Sequence, residues 1–324
     1  MHRSVRILLS LLAVAWMGLH GGAALAQGTA SRPITLVVPY PPGGSADILA
    51  RAIGQKLGER LKQTVIVDNK PGAGTAIGSR FVAEAAPDGH TLLLGTVSSH
   101  AINPAMTKVG YDPIRDFAVV APLVSIPFVL VTRADSPYQK LADVVSAASQ
   151  KPQTLGYASA GPGTSNHLAG EMFASATRTQ LMHVPYRGSA PALADVIAGH
   201  VPLMFDLQAT AAPNIRQGKL RALAVSALER SALLPDVPTM AESGLPGFEV
   251  SAWFALLAPA KVPADTLKRL ETEMAAVMQA PEMALRMREL GGTPDRRSAA
   301  AFSAYMRDEA KKYGDVVKAA GLSP

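Results

Sequence analysis

The stretch Ile34-Thr-Leu-Val-Val38, Pro39-Tyr-Pro-Pro-Gly-Gly44 passes from a β-branched run directly into a loop rich in proline and glycine. A short apolar run bounded by such residues is typical of a buried strand. Apolar residues at four-residue spacing follow, at Ile53, Leu57 and Leu61, as on the buried face of a helix. The stretch therefore predicts one β-loop-α unit.

Two further units of this kind follow the first one. Val65-Ile-Val67 leads through a glycine-rich segment into a predicted helix over 77–85, and Thr91-Leu-Leu-Leu94 leads into a polar turn at Gly95-Thr96. Repeated alternation of strand and helix predicts an α/β fold with mostly parallel sheets. In such folds ligands bind beyond the carboxyl ends of the strands.

The middle third of the chain has the pattern of a second α/β unit. Its predicted strands cover 128–132, 154–157, 181–184, 201–205 and 220–225. The chain from Leu267 onward is helical instead, with methionines at helical spacing that are best explained by core packing. A helical segment without its own sheet is expected to pack back onto the first unit.

These patterns predict two lobes, one of them discontinuous. Residues 27–128 together with 250–324 form the first lobe, and residues 129–249 form the second. Two extended crossings, near 128–133 and 250–258, join the lobes and form a hinge. The cleft between the lobes is the expected ligand site.

Residues 1–26 have the composition of a secretory signal peptide. Basic residues open the segment, an apolar run over Ile7–Leu19 follows, and Ala24-Leu-Ala26 supplies the small residues of a cleavage site. The apolar run is shorter than the roughly 20 residues that span a membrane. We therefore predict cleavage before Gln27 and export of the remaining chain.

Composition excludes several functional classes. The 324 residues contain no cysteine, which excludes disulfides, thiolate metal sites and cysteine nucleophiles. The formal charge is +6, but basic residues are scattered among acidic ones and form no nucleic-acid patch. No P-loop, Gly-x-Ser-x-Gly or His-Glu-x-x-His motif occurs, and the histidines lack metal-ligand spacing. The sequence therefore predicts no cofactor, no metal and no nucleic-acid partner.

Three polar segments combine glycines or small hydroxyl side chains with a predicted helix start. They are the first loop (39–47) with Ser45, the hydroxyl turn (96–99) with Thr96, Ser98 and Ser99, and the second loop (159–166) with Thr164 and Ser165. Unpaired N–H groups and the dipole at a helix start attract anions. A cleft lined by these groups suits a carboxylate, whereas simple helix capping by the same hydroxyls and Asp47 is the alternative.

Two apparent motifs have simpler explanations. Gly72-Ala-Gly-Thr-Ala-Ile-Gly78 looks like a dinucleotide fingerprint, but four residues separate it from its strand, so a tight turn with close helix packing is preferred. A triad of Ser165, His167 and Asp206 can be drawn, but residues two apart at a helix start generally point in different directions. Asp206 ends a predicted strand, where it either contacts a ligand or makes a structural hydrogen bond.

Ordered motifs run through nearly all of the chain that follows the signal peptide. They include Tyr40-Pro-Pro-Gly-Gly-Ser-Ala-Asp47, Val67-Asp-Asn-Lys-Pro-Gly-Ala-Gly74, Asp88-Gly-His-Thr-Leu-Leu-Leu-Gly95, Tyr111-Asp-Pro-Ile-Arg-Asp-Phe117, Gly163-Thr-Ser-Asn-His-Leu-Ala-Gly-Glu171, Val184-Pro-Tyr-Arg-Gly188 and Leu234-Pro-Asp-Val-Pro-Thr239. Together they resemble the Bug family, the periplasmic solute receptors of tripartite tricarboxylate transporters. The sequence departs from the common family pattern at Thr75, Ala118 and Arg187.

The resemblance implies a type II periplasmic binding fold, with two α/β lobes joined by a two-segment hinge, that closes on a small carboxylate. In this family the carboxylate is held by backbone amides and small side chains of two facing loops. Carried over to this sequence, one face of the cleft has Tyr40, Gly43, Gly44, Ser45, Ala46, Thr96 and Ser98, and the other has Thr164, Ser165, Asn166 and Asp206. The implied protein is a monomeric, non-enzymatic receptor that serves inner-membrane permease subunits.

Two alternative functions stay open at this level. An exported serine hydrolase would use Ser165 or Ser45 as its nucleophile. A ligand sensor that feeds a two-component system would use the same binding chemistry as a transport receptor.

Overall fold

The computed structural model describes residues Arg32–Leu322. The predicted signal peptide, residues 1–26, lies outside the described residues.

Strands and helices alternate along most of the described chain. The strands are β1 (Ile34–Val38), β2 (Val65–Asn69), β3 (Thr91–Thr96), β4 (Phe117–Arg133), β5 (Gly156–Ser159), β6 (Met182–Pro185), β7 (Leu203–Leu207), β8 (Leu220–Val225), β9 (Ser251–Pro259) and β10 (Thr293–Pro294). The helices are α1 (Ser45–Leu61), α2 (Ala76–Ala83), α3 (Asn103–Met106), α4 (Leu141–Gln150), α5 (Ser165–Thr177), α6 (Ser189–Ala198), α7 (Gln208–Arg216), α8 (Ala264–Gln279), α9 (Pro281–Glu289) and α10 (Ala299–Ala319). A 3₁₀ turn, Ala73–Thr75, precedes α2, and a π turn, Ser98–Ile102, precedes α3.

Two sheets share strand β4. The first sheet has the order β2-β1-β3-β9-β4-β10, with β1, β2 and β3 parallel and β9 antiparallel to β3. The second sheet has the order β8-β4-β7-β5-β6, with β5, β6 and β7 parallel and β4 antiparallel to β7 and β8. Each sheet thus has its own set of parallel strands and its own helices, and the predicted two-lobed α/β fold is confirmed.

Strand β4 passes from one sheet to the other at Pro127. Pro127 pairs with Ser251 of β9 in the first sheet, whereas Phe128 pairs with Leu207 of β7 in the second. The chain returns just before β9, where the Val250 N–H donates to the carbonyl oxygen of Ser226, at the end of β8. Each crossing lies at the start of the range expected from the sequence. The lobe boundaries at 128/129 and 249/250 stay a prediction.

The C-terminal helices cover the first sheet. Met274 and Met287 are fully buried and Met283 is 2% exposed, so the methionine-rich stretch belongs to the core as expected. Trp253 of β9 packs edge-to-face on Phe302 of α10, with ring centroids 5.3 Å apart. Burial of a side chain of this size contributes about 2–3 kcal/mol, which holds α10 against the sheet.

The glycines between β2 and α2 serve the turn. Gly72 and Gly74 have φ of +126° and +59°, values that other residues rarely adopt. A Cβ on Gly78 would lie 2.7 Å from the carbonyl oxygen of Lys70, so the helix can approach the loop only with glycine there. The preferred interpretation of Gly72–Gly78 as a tight turn with close packing is therefore confirmed.

Candidate functional site

The first loop leaves the carboxyl end of β1 and is held by a charged network. Gly43 has φ of +86°, and its N–H donates to Asp47 Oδ2 at 3.1 Å. Arg51 Nη2 and Asn69 Nδ2 donate to Asp47 Oδ1 at 2.9 and 3.1 Å, and Asn69 Nδ2 also donates to the carbonyl oxygen of Tyr40. Asp47 thus holds the middle of the loop, and Asn69 connects Asp47 to the start of the loop at Tyr40.

Asp47 is ionised in this setting. Burial alone would raise the pKa of Asp47, but hydrogen bonds from Arg51, the Gly43 N–H and Asn69 outweigh it and hold the pKa below its usual range. The carboxylate faces back into the loop rather than capping α1. It therefore braces the loop without occupying the free N–H groups of the helix.

Helix α1 begins with unpaired donors. Its N-cap residue is Gly44, which has no side chain to accept a hydrogen bond. Within the described chain no acceptor is found for the N–H groups of Ser45, Ala46 and Asp47. Free N–H groups at a helix start, together with the helix dipole, form an anion-binding surface.

Helix α5 begins in the same way in the second loop. Its N-cap Thr164 directs its hydroxyl back to the carbonyl oxygen of Gly161 at 2.6 Å instead of capping the helix. The Ser165 N–H donates to Ser98 Oγ at 2.9 Å. The next two N–H groups, of Asn166 and His167, have no acceptor among residues 32–322. The side chain of Asn166 is used elsewhere, because its Nδ2 donates to the carbonyl oxygen of Phe205.

Each loop contacts a segment on the opposite side of the cleft: the second loop meets the hydroxyl turn, and the first loop meets α7 and the segment after β6. Besides the bond between Ser165 and Ser98, Ser45 Oγ lies 3.3 Å from Thr210 Oγ1 of α7. A Cβ on Gly188 would lie 2.8 Å from the Pro41 ring, so the second sheet also closes on the first loop at this point. Both uncapped helix starts therefore face the same cavity.

This cavity has a volume of about 30 Å³ and an uncharged lining. It is lined by Tyr40, Pro41, Pro42, Gly44, Ser45, Ala46, Thr96, Ser165, Asn166, Ser189, Ala190, Leu207, Ala252 and Phe254. About 10–15 Å³ of such space already holds one water molecule, so the cavity suits a small group such as one carboxylate head.

A wider pocket of about 420 Å³ adjoins the cavity and shares Tyr40 and Pro41 with it. Its other walls come from the 71–75 turn, from Thr164 in the second loop and from the segment Tyr186–Gly188. We call this wider pocket the vestibule.

Seven of the eleven residues singled out in the sequence line the cavity: Tyr40, Gly44, Ser45, Ala46, Thr96, Ser165 and Asn166. The other four surround it. Gly43 shapes the first loop, Ser98 accepts from the Ser165 N–H, Thr164 lines the vestibule, and Asp206 lies behind Thr210.

Sequence reasoning missed the contributions of Ser189, Ala190, Leu207, Ala252 and Phe254. Gly188 before Ser189 repeats the glycine-hydroxyl pattern of the other two loops and could have been noticed. Phe254 and Ala252 are ordinary residues of a buried strand, and nothing local distinguishes them.

Tyr40 supplies a neutral hydroxyl at the cavity. Burial raises the pKa of Tyr40, although hydrogen bonds with Ser98 and Thr96 partly oppose this. Its hydroxyl lies 3.3 Å from Thr96 Oγ1. A tyrosine in this state can donate to an anion and does not repel it.

The imagined catalytic triad is not assembled. His167 stacks on His183 with ring centroids 4.0 Å apart, its Nε2 lies 3.8 Å from Glu171, and its Nδ1 has no partner in the described chain. Asp206 bonds with Thr210, and neither it nor Ser165 is hydrogen-bonded to His167. The three residues therefore lack the geometry of a nucleophile with its base.

The histidines behind the second loop are neutral. Burial lowers the pKa of His183 to about 4, and repulsion from His167 adds to the shift. Burial also lowers the pKa of His167, partly opposed by Glu171. His183 Nε2 lies 2.6 Å from Ser159 Oγ, which accepts the Gly161 N–H, so the histidine pair supports the turn of the second loop.

Residues 32–322 contain neither a candidate metal site nor a candidate membrane-spanning helix. No group of three His, Cys, Asp or Glu residues there could hold a metal ion. No helix there is both long enough and apolar enough to span a membrane.

Comparison with known proteins gives the same picture. Residues 49–322 match the family model described as the tripartite tricarboxylate transporter family receptor. A protein from the tcbD-tcbE intergenic region of Pseudomonas sp. (strain P51) is 43% identical over 262 residues, which are 81% of this chain and 78% of that protein. Protein BugT of Bordetella pertussis (strain Tohama I) is 33% identical over 293 residues, 90% of each chain.

Solved structures share the fold. A Rhodopseudomonas palustris protein with adipate is 35% identical and has a TM-score of 0.87, with 91% of this chain and 99% of that chain covered. MatC from the same organism, with bound malate, is 33% identical and has a TM-score of 0.84, covering 89% of this chain and 99% of its own. The chain therefore belongs to the Bug family of tripartite tricarboxylate transporter receptors, which are periplasmic solute-binding proteins.

Proposed function

We propose that this protein captures a small organic carboxylate between its two lobes and delivers it to the membrane subunits of a tripartite tricarboxylate-type transporter. One observation carries the proposal: two uncapped helix starts, those of α1 and α5, face one uncharged cavity. Neutral donors bind a carboxylate without burying a cation that would have to lose its own hydration.

The proposed binding residues are those that line or shape the cavity. They are Tyr40, Gly43, Gly44, Ser45, Ala46, Thr96, Ser98, Thr164, Ser165, Asn166 and Asp206. One carboxylate head would accept from the N–H groups of α1 and α5, and the carbon skeleton would extend into the vestibule. Because residues from both sides of the cleft line the cavity, entry of the ligand requires the lobes to open.

The fate of the chain follows from its sequence and family. A cleaved signal peptide over residues 1–26 would deliver residues 27–324 to the periplasm, where a monomer would meet the permease. Adipate and malate are bound by two structural relatives, so dicarboxylates are the first ligands to test.

The binding test is isothermal titration with malate, succinate, adipate and citrate, and with adipamide as a neutral control of matched length. At least one of the acids should bind, and adipamide should not. Absence of binding by every acid would overturn the proposal. Scattering should also show a smaller radius of gyration with saturating ligand, because only the closed state brings both helix starts to the ligand.

A single substitution can remove one donor from the site. Ala46→Pro deletes one N–H in the first turn of α1, where proline is sterically tolerated. A hydrogen bond to a charged group is worth about 1.5–3 kcal/mol, so affinity should fall by about 10- to 100-fold. Ala300→Pro, at the matching position of α10, is the control and should leave affinity unchanged.

We also propose that the protein is not a hydrolase, since neither Ser45 nor Ser165 is hydrogen-bonded to a histidine. The wild-type protein should hydrolyse p-nitrophenyl acetate no faster than the uncatalysed background. A turnover that Ser165→Ala or Ser45→Ala abolishes would overturn this.

A further inference from the structure

Asp206 is a buried carboxyl group without a counter-ion, close to a site proposed for anions. It is the penultimate residue of β7 and is 1% exposed. Thr210 Oγ1 donates to its Oδ2 at 2.6 Å, while its Oδ1 has no hydrogen-bond partner in the described chain. A buried carboxylate with an unpaired oxygen is costly, and protonation removes the cost.

The surroundings of Asp206 supply no cation. The packed elements are β4, β5, α5, α6 and α7 on its own side and α1 across the cleft. Their titratable residues pair elsewhere or lie at distant ends: Arg133 with Asp135, Tyr157 and His167 with Glu171, Asp195 with Tyr186 and His200, Asp47 with Arg51, and Arg216 in the last turn of α7. None of them forms an ion pair with Asp206.

A chain of hydroxyl groups connects Asp206 to the cavity. Thr210 Oγ1, bonded to Asp206, lies 3.3 Å from Ser45 Oγ, and Ser45 lines the cavity. When Asp206 is ionised, the Thr210 hydroxyl donates its proton to the carboxylate. Ser45 can then bond with Thr210 only as the donor, so its proton is not available to a ligand. When Asp206 is protonated, it can donate to Thr210, and Thr210 no longer needs the Ser45 proton.

We propose that Asp206 is a proton-linked positioning residue: it takes up one proton when a carboxylate binds at Ser45. The inference rests on the proposed function, because it concerns the same cavity. Protonation frees the Ser45 hydroxyl to donate to the ligand and removes a negative charge that would repel it. By linkage, a ligand that favours the protonated form makes its own affinity depend on pH.

The pH range of the effect follows from burial. Burial raises the pKa of Asp206 to about 7, although the hydrogen bond from Thr210 and the neighbouring Leu207 N–H dipole oppose the shift. Below this pH the group is already protonated in the free protein, so affinity is constant. Above it, each bound ligand must bring a proton, and affinity falls by up to about tenfold per pH unit.

The experiment is isothermal titration of the intact protein with adipate and with malate from pH 5.5 to pH 9. Titrations at pH 8 in two buffers of different ionisation enthalpy count the protons taken up. Wild type should take up close to one proton per ligand at pH 8 and almost none at pH 6. The ¹³C shift of the Asp206 carboxyl should report the same protonation when ligand is added.

Two variants and a control separate this role from a structural one. Asp206→Asn mimics the protonated acid, so its affinity should no longer vary with pH above 7. Thr210→Val breaks the hydroxyl chain but keeps the carboxyl charge, so its affinity should vary with pH less steeply than that of wild type. Glu309→Gln removes a buried carboxyl in α10 that pairs with Lys312, and it should keep the wild-type profile. Thr210→Val and the carboxyl shift still test the idea if Asp206→Asn fails to fold.

Two negative results have different meanings. Binding that is independent of pH in wild type, or a slope that persists in Asp206→Asn, overturns the proton link and leaves the receptor function standing. Absence of binding by every carboxylate at every pH overturns the proposed function and this inference with it.

Discussion

The first loop is braced by an ionised residue, whereas the second loop is braced by neutral ones. Asp47, paired with Arg51 and Asn69, holds the Gly43 N–H. At the second loop Ser159, backed by the stacked imidazoles of His183 and His167, holds the Gly161 N–H. Both braces leave the following helix uncapped. An ionised carboxylate in one loop and neutral side chains in the other thus produce the same arrangement of free N–H donors.

The difference has consequences for stability. A carboxylate held by donors contributes stability above its ordinary pKa and loses it as pH falls through the lower folded-state pKa. A buried neutral histidine does not lower the free energy of unfolding near neutral pH. When the pH falls below its ordinary pKa, the unfolded chain takes up a proton that the folded protein resists, so stability falls. As the pH falls, the second loop should therefore lose its stabilising contribution at a higher pH than the first loop.

The largest effect is expected from Asp47→Ala. It removes the acceptor of Gly43, Arg51 and Asn69 together, so the free energy of unfolding should fall by about 2–3 kcal/mol. The affinity for malate or adipate should fall at least tenfold, because the donors of α1 lose their position. Glu59→Ala, on the exposed side of the same helix, should change neither quantity in urea unfolding and titration calorimetry.

The acid response of the second loop tests the comparison directly. The pKa of His183 is about 4 in the folded protein against an ordinary value near 6.5, so the unfolded chain binds more protons between these values. Stability should therefore fall as pH drops from 6.5 to 4. Urea unfolding at both pH values should show that the free energy of unfolding drops by about 2 kcal/mol less in His183→Gln than in wild type. Equal losses in the two proteins would contradict the neutral brace.

Contact between the hydroxyl turn and the second loop depends on the hydroxyl of Ser98. Ser98→Ala leaves the Ser165 N–H without its acceptor when the lobes are closed. An unmade hydrogen bond of this kind costs about 1 kcal/mol, so ligand affinity should fall about fivefold. Ser303→Ala, on the exposed face of α10, is the matched control. A Ser98→Ala affinity equal to that of wild type would show that this contact does not contribute to closure.

The smallest effect concerns salt. At 1 M ionic strength charges are screened over about 3 Å, which weakens the pair formed by Arg51 and Asp47. Such a half-exposed pair is worth about 0.2–1 kcal/mol, so hydrogen exchange of the Gly43 amide should speed up about two- to threefold. Exchange of the Gly161 amide, held by Ser159, should not respond. Equal responses of the two amides would remove the distinction between the braces.

Much of the fold could be predicted because its signals are local. The β-branched run before Tyr40 and the helical spacing from Ile53 to Leu61 each identify an element without reference to the rest of the chain. The residues of the first loop could be named for the same reason, since glycines and a hydroxyl before a helix show where N–H groups are free. Four of the five first-loop residues named from the sequence line the cavity.

The role of individual side chains was harder to predict. The family resemblance places Asn166 on the face that binds the ligand, yet its amide is directed to the carbonyl oxygen of Phe205 and positions the helix start. Thr164 was considered as a cap, but its hydroxyl bonds Gly161. These choices depend on which acceptor lies within reach, and the distance is known only after the strands are packed.

The sequence by itself determined the α/β alternation, the family and the loops that carry free donors, because each depends on residues close together in the chain. Tertiary structure alone decided that Ser45 meets Thr210, 165 positions away, and that Asp206 lies behind them without a cation. The physical reason is strand β4, which pairs with β9 in one sheet and with β7 in the other. That shared strand sets the distance between the loops, and no local pattern encodes it.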